Sequence, residues 1–239
     1  MRINKYIADT GFCSRRKADQ LIKDRRVLVN SQLPEVGQQV DDSDDILIDG
    51  RPLKSKPKRV YIALYKPRGI TSTTDLKDPY NIVEYMKYPE RIFHIGRLDK
   101  DSEGLILLTN DGDIVNDILR EENGHEKEYI VKVNKPITRA FLNSMSKGVN
   151  ILGTKTLPCK VEKIDSMAFN IILTQGMNRQ IRRMCEALDY KVVCLKRIRI
   201  MHILLNDLPY GKWRYLTESE MQILSNTLDK DLLDKNSNS

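Results

Sequence analysis

The chain has 239 residues, of which 40% are hydrophobic and 31% are charged, and its formal net charge is +7. This length and apolar fraction are enough for one large domain, or for a medium domain with a small appendage, so wholesale disorder is excluded. The positive balance favours a polyanionic partner. The first residues, MRINKYIADTG, lack the apolar segment of a signal peptide, and no apolar run approaches the length of a membrane span, so we expect a cytoplasmic protein.

Residues 1–47 are predicted to form a small separate domain. A short amphipathic turn ends at Gly11, and Ser14 can cap a second helix, SRRKADQLIKDR, whose apolar positions recur at helical spacing. VLVN and DDILIDG follow as strands. This segment could present a solvated helix face, but we favour a phosphate-contacting surface, because many like charges on a small unit repel one another unless an anion binds. The cations that bracket the second helix are Arg15, Arg16, Lys17, Arg25 and Arg26.

This unit resembles the S4 RNA-binding domain in the run RINKYIADTGFCSRRKADQLIKDRRVLVN. The resemblance implies that these cations bind RNA. Arg25 and Arg26 depart from the family pattern, which often has a glycine near this helix exit.

The remaining chain is predicted to contain a linker, a larger domain and a tail. Residues 48–59, which include RPLKSKPKR, are predicted to be an extended linker, residues 60–225 the larger domain, and residues 226–239 a polar C-terminal tail. Strands and helices alternate irregularly in the larger domain, which predicts an α+β fold. The predicted strands are VYIALY, LILLT, YIVKV, FNIILT and KVVCLKRIRI, and the predicted helices are NIVEYM, GDIVNDILR, TRAFLNSMSKG, NRQIRRMCEALDY and TESEMQILSNTL.

The stretch HIGRLDKDSEG at 94–104 carries an acidic cluster directly before a buried strand. Asp99, Asp101 and Glu103 match ligand positions of a calcium-binding EF-hand loop, but Asn110 stands where a bidentate glutamate is required, so that site is excluded. A glycosidase would need two carboxylates about 5–9 Å apart in a cleft. Sugar sites also use aromatic platforms, and only 6% of the residues here are aromatic, which disfavours that interpretation.

A single reactive aspartate is the third interpretation of this stretch. Asp99 would lie on a loop, where Gly96 and Gly104 permit tight turns. Arg97 and Lys100 would keep the carboxylate ionised and could bind phosphates. The alternative for Arg97 is an ion pair with Asp101 across the turn.

The longer run HIGRLDKDSEGLILLTNDG resembles motif II of the pseudouridine synthases, in which GRLD ends with the catalytic aspartate. In the family's order, YKPRG (65–69) resembles motif I, EKEYIVKV (126–133) the segment with the active-site tyrosine, and residues 175–200 motif III. The chain is thereby identified as a member of the RsuA/RluB/RluE/RluF family of ribosomal RNA pseudouridine synthases, closest to the RluF subgroup. The resemblance implies a mixed, mainly antiparallel sheet in the larger domain.

The resemblance also implies an isomerase that breaks the N1–C1′ bond of a uridine, turns the uracil and rejoins it through C5. Such a reaction needs no cofactor, and the sequence carries no nucleotide-binding or metal-ligand motif. The substrate implied is 23S ribosomal RNA or a pre-ribosomal particle, with a tRNA as a second target. We expect no membrane association and a monomer.

The site residues follow from the same resemblance. Asp99 is the catalytic residue, and it either attacks C1′ or removes a proton from C2′. Arg182, on the helix after QGMN, takes the place of the cation that pairs with this aspartate, and its fork can bind both carboxylate oxygens. Tyr129 would stack on the uracil. The alternative is that its ring packs in the hydrophobic core, as an aromatic ring on such a strand usually does. The remaining substrate-binding residues are Leu195, as an apolar wall of the uracil pocket, with Arg97, Arg179 and Arg183. Spacing places Arg179 and Arg183 on the polar face of the helix after QGMN, where we expect them to contact RNA phosphates.

A different class of protein is a non-catalytic S4-type RNA-binding protein that acts in ribosome assembly or translation. It would explain the basic N-terminus. It would not explain why GRLD, Tyr129 and Arg182 occur together in one chain.

Overall fold

The computed structural model describes residues 1–120 and 123–237, with side chains described up to residue 228. The chain folds into two compact units. The first comprises Met1–Val60, Lys87–Phe93 and Thr109–Gly112, and the second comprises the other described residues. Among the described residues, no helix is long and apolar enough to cross a membrane.

The first unit is built on two helices and a three-stranded sheet. Ile3 and Ile7, which are one turn apart, are both completely buried, and Ser14 caps the second helix by accepting a hydrogen bond from the Lys17 N–H at 3.2 Å. The sheet has the order β1-β2-β3 with antiparallel pairs. The elements are α1 (Ile3–Asp9), α2 (Arg15–Lys23), β1 (Val27–Val29), β2 (Ile46–Ile48) and β3 (Arg51–Pro52).

The exit of α2 has the geometry that usually selects glycine. Arg25 has φ +58°, and its N–H donates to the Ile22 carbonyl at 3.0 Å, while the Arg26 N–H donates to the Leu21 carbonyl at 3.0 Å. A left-handed residue directly after a helix is most often glycine, because glycine has no Cβ. The helix exit therefore keeps the turn that glycine would favour, with an arginine in it.

The second unit carries a nine-stranded mixed sheet. Its main order is β10-β11-β7-β12-β6-β4-β14, with β13 beside β12 and β5 beside β6. The pairs of β7 with β11 and β12 are antiparallel, and β12 with β6 is parallel. The elements are β4 (Tyr61–Lys66), α3 (Ile82–Met86), β5 (Phe93–Ile95), β6 (Glu103–Thr109), α4 (Asp113–Leu119), β7 (Lys127–Val133), α5 (Arg139–Ser146), β8 (Asn150–Ile151), β9 (Thr154–Lys155), β10 (Lys160–Lys163), β11 (Ala168–Leu173), α6 (Gln180–Glu186), β12 (Val192–Ile200), β13 (Ile203–Leu204), β14 (Trp213–Tyr215) and α7 (Glu218–Ser237).

Burial agrees with the position of β6 inside this sheet, between β12 and β4. Leu105, Ile106, Leu107 and Leu108 are at most 1% exposed on either face of β6. A strand that is apolar on both faces is typical of the interior of a sheet that is covered on both faces. The α+β class and the mainly antiparallel mixed sheet are confirmed.

Two predicted elements differ from the structure. The helix predicted over NRQIRRMCEALDY forms only over Gln180–Glu186, because Arg179 before it is left-handed (φ +51°) and the chain turns again at Asp189 (φ +64°). The last helix begins as predicted, with reciprocal hydrogen bonds between Thr217 and Glu220, but it extends to Ser237. The predicted tail, 226–239, therefore overlaps that helix, and its end lies outside the described residues. The predicted domain boundaries stay predictions.

Candidate active site

Asp99 lies on the loop that connects β5 to β6. The Ser102 N–H donates to the Asp99 carbonyl at 3.0 Å, which closes a turn directly before the central strand. Gly104 lets β6 approach β12, since it has φ +113° and an added Cβ would lie 2.2 Å from the Arg197 carbonyl oxygen. The loop is thus anchored at the start of a completely buried strand, which fixes the position of Asp99.

Residues 96–102, between β5 and β6, carry the candidate catalytic residue and are called the catalytic loop. A second loop, residues 67–72 after β4, holds the catalytic loop in place. The Ser72 hydroxyl donates to the Leu98 carbonyl at 2.8 Å and accepts from the Leu98 N–H at 3.2 Å. The Gly69 N–H donates to the Lys100 carbonyl at 2.8 Å. Backbone groups on both sides of Asp99 are therefore bonded to the same neighbouring loop, as a pre-organised site requires.

The Asp99 carboxylate lies near two guanidinium groups and remains partly exposed. One oxygen, Oδ2, lies 3.7 Å from Arg179 Nη1 and 3.9 Å from Arg182 Nε, and the side chain is 34% exposed. Asp101 is 65% exposed and lies 3.9 Å from Arg179 Nη1. These separations are longer than a charge-assisted hydrogen bond. The carboxylate is therefore in a positive field without being fully engaged by either arginine.

Arg182 is buried beneath the catalytic loop, and its hydrogen bonds go to the loop itself. Its Nη2 donates to the Ser102 hydroxyl at 3.0 Å and to the Asp101 carbonyl at 3.2 Å, while its Nε has no hydrogen-bond partner. Burial, followed by the charge of Arg179, lowers the pKa of Arg182. The expected two-oxygen contact with Asp99 is not present, so Arg182 positions the loop and supplies charge.

Arg179 occupies a strained position at the start of α6. It is the residue before the first helical turn and has φ +51° and ψ +34°. A non-glycine residue in this region carries a conformational cost of about 1–3 kcal/mol, and such residues cluster at functional sites. We expected Arg179 on the polar face of a longer helix, facing phosphates. Instead, its guanidinium lies between the carboxylates of Asp99 and Asp101.

Two buried cations near Asp99 were not recognised in the sequence. Lys66 is completely buried at the end of β4, and its ammonium donates to the carbonyls of Pro67 (2.8 Å) and Ile70 (2.7 Å). Burial, then the charge of Arg197, lowers its pKa to about 8, while Asp99 acts in the opposite direction. The sequence feature that could have identified Lys66 is its position as a charged residue directly after the apolar run VYIALY.

Arg197 is the second of these cations and is only 3% exposed on β12. Its Nε donates to the Leu105 carbonyl at 2.6 Å, and its Nη1 lies 3.5 Å from the Arg97 carbonyl, while its Nη2 has no partner. It therefore connects the buried part of β6 to the backbone of the catalytic loop.

Tyr129 and Leu195 lie in neighbouring strands of the same sheet. In the β7–β12 register, Tyr129 is opposite Arg197 and Val131 is opposite Leu195. Directly opposed residues share one face of a sheet. Val131 and Leu195 are buried, whereas Tyr129 is partly exposed, so its ring is not simply part of the core. Arg197 also pairs with Gly104 of β6, which places Tyr129 two strands from the catalytic loop.

The other predicted cations have different surroundings. The Arg97 side chain is exposed, and Arg183 binds Asn178 through its Nε and Nη2 at 3.1 and 3.2 Å. In the first unit, Arg26 forms a two-bond pair with Asp49 at 2.6 and 2.8 Å. The Arg15 guanidinium lies beside Gly112, within 3.5 Å of the place where a Cβ would be. Arg16 and Lys17 on α2 and Arg25 at its exit are exposed.

Thiol and imidazole groups do not form a reactive cluster in the described part of the chain. Burial raises the pKa of Cys185, on α6, to about 12, and that of Cys159 to about 11. His94 Nδ1 lies 2.7 Å from the Gly96 carbonyl, and burial lowers its pKa. Among the described residues, no group of three or more His, Cys, Asp or Glu side chains is arranged to hold a metal ion.

Comparison with known proteins identifies the family of the chain. The family model described as RNA pseudouridylate synthase matches residues 60–187, and the S4 domain model matches residues 1–46. The chain is 50% identical over 223 residues to the dual-specificity RNA pseudouridine synthase RluF of Escherichia coli (strain K12), covering 92% of this chain and 77% of that protein.

Two further relatives have lower identity. The ribosomal large subunit pseudouridine synthase B of Bacillus subtilis (strain 168) is 37% identical, with 93% of this chain and 95% of that protein covered. A solved pseudouridylate synthase superposes with a TM-score of 0.69 at 30% identity and covers 94% of this chain and 99% of the other. The chain therefore belongs to the RNA pseudouridylate synthase family, as an RNA pseudouridine synthase with an N-terminal S4 domain.

Proposed function

We propose that this enzyme converts a uridine of 23S ribosomal RNA, free or in a pre-ribosomal particle, to pseudouridine, with a tRNA as a second substrate. A relative at 50% identity is named a dual-specificity RNA pseudouridine synthase, and another is named for the large ribosomal subunit. The observation that carries the catalytic assignment is the Asp99 carboxylate, which lies between two guanidinium groups on a loop that is bonded on both sides.

Asp99 is the proposed catalytic residue because two guanidinium groups lie near its carboxylate without occupying the oxygens. The contacts of 3.7 and 3.9 Å leave oxygen lone pairs that are not consumed by short hydrogen bonds. Asp99 either attacks C1′ or removes a C2′ proton while the N1–C1′ bond breaks. The uracil then turns and C5 bonds to C1′, which displaces the Asp99 carboxylate in the first route and is accompanied by return of a proton to C2′ in the second. C5 then loses its proton and N1 gains one, so no oxidant or group donor is needed.

The surrounding residues are proposed to bind the flipped nucleotide. Tyr129, which is partly exposed, stacks on the uracil, and Leu195 is proposed as an apolar wall of the pocket. Arg182 and Arg197 are buried, and they are proposed to act through the loop backbone to which they are hydrogen-bonded. The cations proposed to contact phosphates are the exposed Arg97, Arg16, Lys17 and Arg25 and the partly exposed Arg183, with Arg15 and Arg26 contributing charge.

Tritium release tests this assignment directly. The substrate is 23S ribosomal RNA transcribed with uridine labelled at C5, because rejoining through C5 frees that hydrogen, whereas binding or glycosidic hydrolysis does not. Asp99→Asn preserves size and should abolish release while RNA binding persists. Asp101→Asn is the matched control on the same loop, since its carboxylate is 65% exposed and touches only Arg179.

Glu103→Gln is a second control, because Glu103 accepts a hydrogen bond from the Tyr65 hydroxyl at 3.1 Å and does not contact either arginine near Asp99. Both control variants should keep most of the activity. An active Asp99→Asn protein, or an inactive Asp101→Asn protein, would refute the single-aspartate mechanism.

The remaining assignments are proposals on the same basis. Residues 1–47 serve as the RNA-binding domain, residues 48–59 as the linker and residues 60–225 as the catalytic domain. We propose a cytoplasmic monomer that acts without a cofactor.

A further inference from the structure

Tyr80 presents an exposed ring on a fixed backbone. It lies in the turn before α3, where its N–H donates to Asp78 Oδ1 at 2.9 Å and its carbonyl accepts from the Thr71 N–H at 2.8 Å. The residue is nevertheless 55% exposed. A rigid backbone loses little freedom when a partner binds, so an aromatic ring held in this way is pre-organised for stacking.

Lys100 connects this ring to the catalytic loop. Its ammonium lies 4.3 Å from the centroid of the Tyr80 ring, which is a cation–π contact. Lys100 directly follows Asp99, and its carbonyl accepts the hydrogen bond from Gly69. The ring and the ammonium are therefore attached to the loop that carries the Asp99 carboxylate.

We propose that Tyr80 and Lys100 form a subsite for the nucleotide next to the target uridine. The base of that nucleotide stacks on Tyr80, and its phosphate lies against the Lys100 ammonium. The proposal rests on the proposed function, because the ligand is the RNA strand that delivers the uridine to Asp99.

The chemistry of the ligand follows from the two side chains. Aromatic rings combined with cations bind unpaired bases with little dependence on sequence, through stacking and phosphate attraction. Extraction of a uridine from its stack leaves the adjacent base without one neighbour. An exposed ring beside the reactive loop replaces that neighbour. A second exposed cation, Arg68, lies on the loop that is bonded to the catalytic loop, so it adds a positive charge near this subsite.

RNA affinity is the first test. Proteins that also carry Asp99→Asn are titrated with transcribed 23S ribosomal RNA, so that turnover does not disturb binding. Loss of one stacked base by alanine substitution weakens binding by roughly 5- to 100-fold, which is the expectation for Tyr80→Ala. Tyr80→Phe keeps the ring and should bind normally. Leu76→Ala is the matched control, because Leu76 is 68% exposed on the same loop but has no ring.

Fluorescence tests whether a base reaches the ring itself. Trp213 is the only tryptophan of the chain, so Tyr80→Trp combined with Trp213→Phe places a single reporter at this position. Single-stranded oligouridine should quench its emission, whereas a fully paired RNA duplex should not. Equal quenching by both RNAs, or by neither, would overturn the proposal, as would unchanged affinity of Tyr80→Ala.

Different results would refute the proposed function and the stacking subsite. If the wild-type enzyme releases no tritium from C5-labelled RNA, the proposed function is refuted. If it releases tritium while Tyr80→Ala binds RNA like Tyr80→Phe, only the stacking subsite is refuted.

Discussion

The buried ammonium of Lys66 should make the stability of this enzyme depend on pH in an unusual direction. Burial, followed by the charge of Arg197, lowers the pKa of Lys66 from 10.5 to about 8. The unfolded chain therefore binds more protons than the folded chain between these values, so the free energy of unfolding rises with pH across that window. A shift of this size corresponds to about 3 kcal/mol, because one pKa unit is worth about 1.4 kcal/mol.

The assay is denaturant unfolding of the wild type and Lys66→Met at several values between about pH 7.5 and pH 10.5. Methionine keeps the length of the apolar stem but cannot be charged, so it removes this titration while other groups still titrate. The wild-type curve should rise relative to the variant by about 3 kcal/mol over the window. Asp99→Asn removes a charge that supports protonated Lys66, so it should extend the window to lower pH while its upper end, set by the unfolded chain, stays in place. Parallel curves for wild type and Lys66→Met would refute the reasoning.

Two further predictions concern the approach of β6 to β12 and the charge of α2. Gly104→Ala should lower the free energy of unfolding, measured by urea titration, by about 2–4 kcal/mol, because its Cβ would meet the Arg197 backbone at a φ of +113°. Gly153→Ala is the control: Gly153 has φ +76° and nothing within 4 Å of an added Cβ, so this substitution should cost about 1 kcal/mol. Equal losses in the two variants would contradict this account. Replacing the exposed Arg16 or Lys17 by Ala should reduce the slope of log affinity against log salt by roughly 0.7–0.9 for each RNA phosphate that the removed side chain had neutralised. Arg26→Ala is the control and should reduce the slope less, since Asp49 already neutralises that guanidinium. An unchanged slope in Arg16→Ala and Lys17→Ala would show that α2 does not bind RNA phosphates.

The sequence was most informative where local chemistry decides the structure. The Ser14 cap, the capping box of Thr217 and Glu220, and the central strands all form at the predicted places, because each depends on neighbouring residues or on a continuous apolar run. The short edge elements were missed: β10 reads KVEK and β14 contains only Trp213–Tyr215. Their positions depend on pairing with β11 and β4, which no local pattern encodes.

The positions and hydrogen bonds of the charged residues at the site could not be predicted from local sequence patterns. Arg179 was assigned to a helix face by its spacing, but the helix starts one residue later and Arg179 turns towards Asp99. Lys66 ends the apolar strand β4, and Arg197 is one of three cations in β12, VVCLKRIRI. Their hydrogen bonds go to backbone carbonyls that no periodic pattern identifies. Periodicity identifies which residues are buried, whereas tertiary hydrogen bonds determine why a buried charge is tolerated.

The geometry distinguishes the proposed catalytic aspartate from the neighbouring acids. Elsewhere in this chain, Arg26 and Asp49 form two short hydrogen bonds of 2.8 and 2.6 Å, an arrangement that occupies both carboxylate oxygens. Glu103 is likewise engaged, by the Tyr65 hydroxyl, and Asp101 is largely solvated. Asp99 alone among these three acids lies within 4 Å of both Arg179 and Arg182 while remaining only a third exposed. Arg182 directs its short bonds to the loop backbone and Ser102, so it places a positive charge beside Asp99 without occupying the oxygens that take part in the proposed reaction.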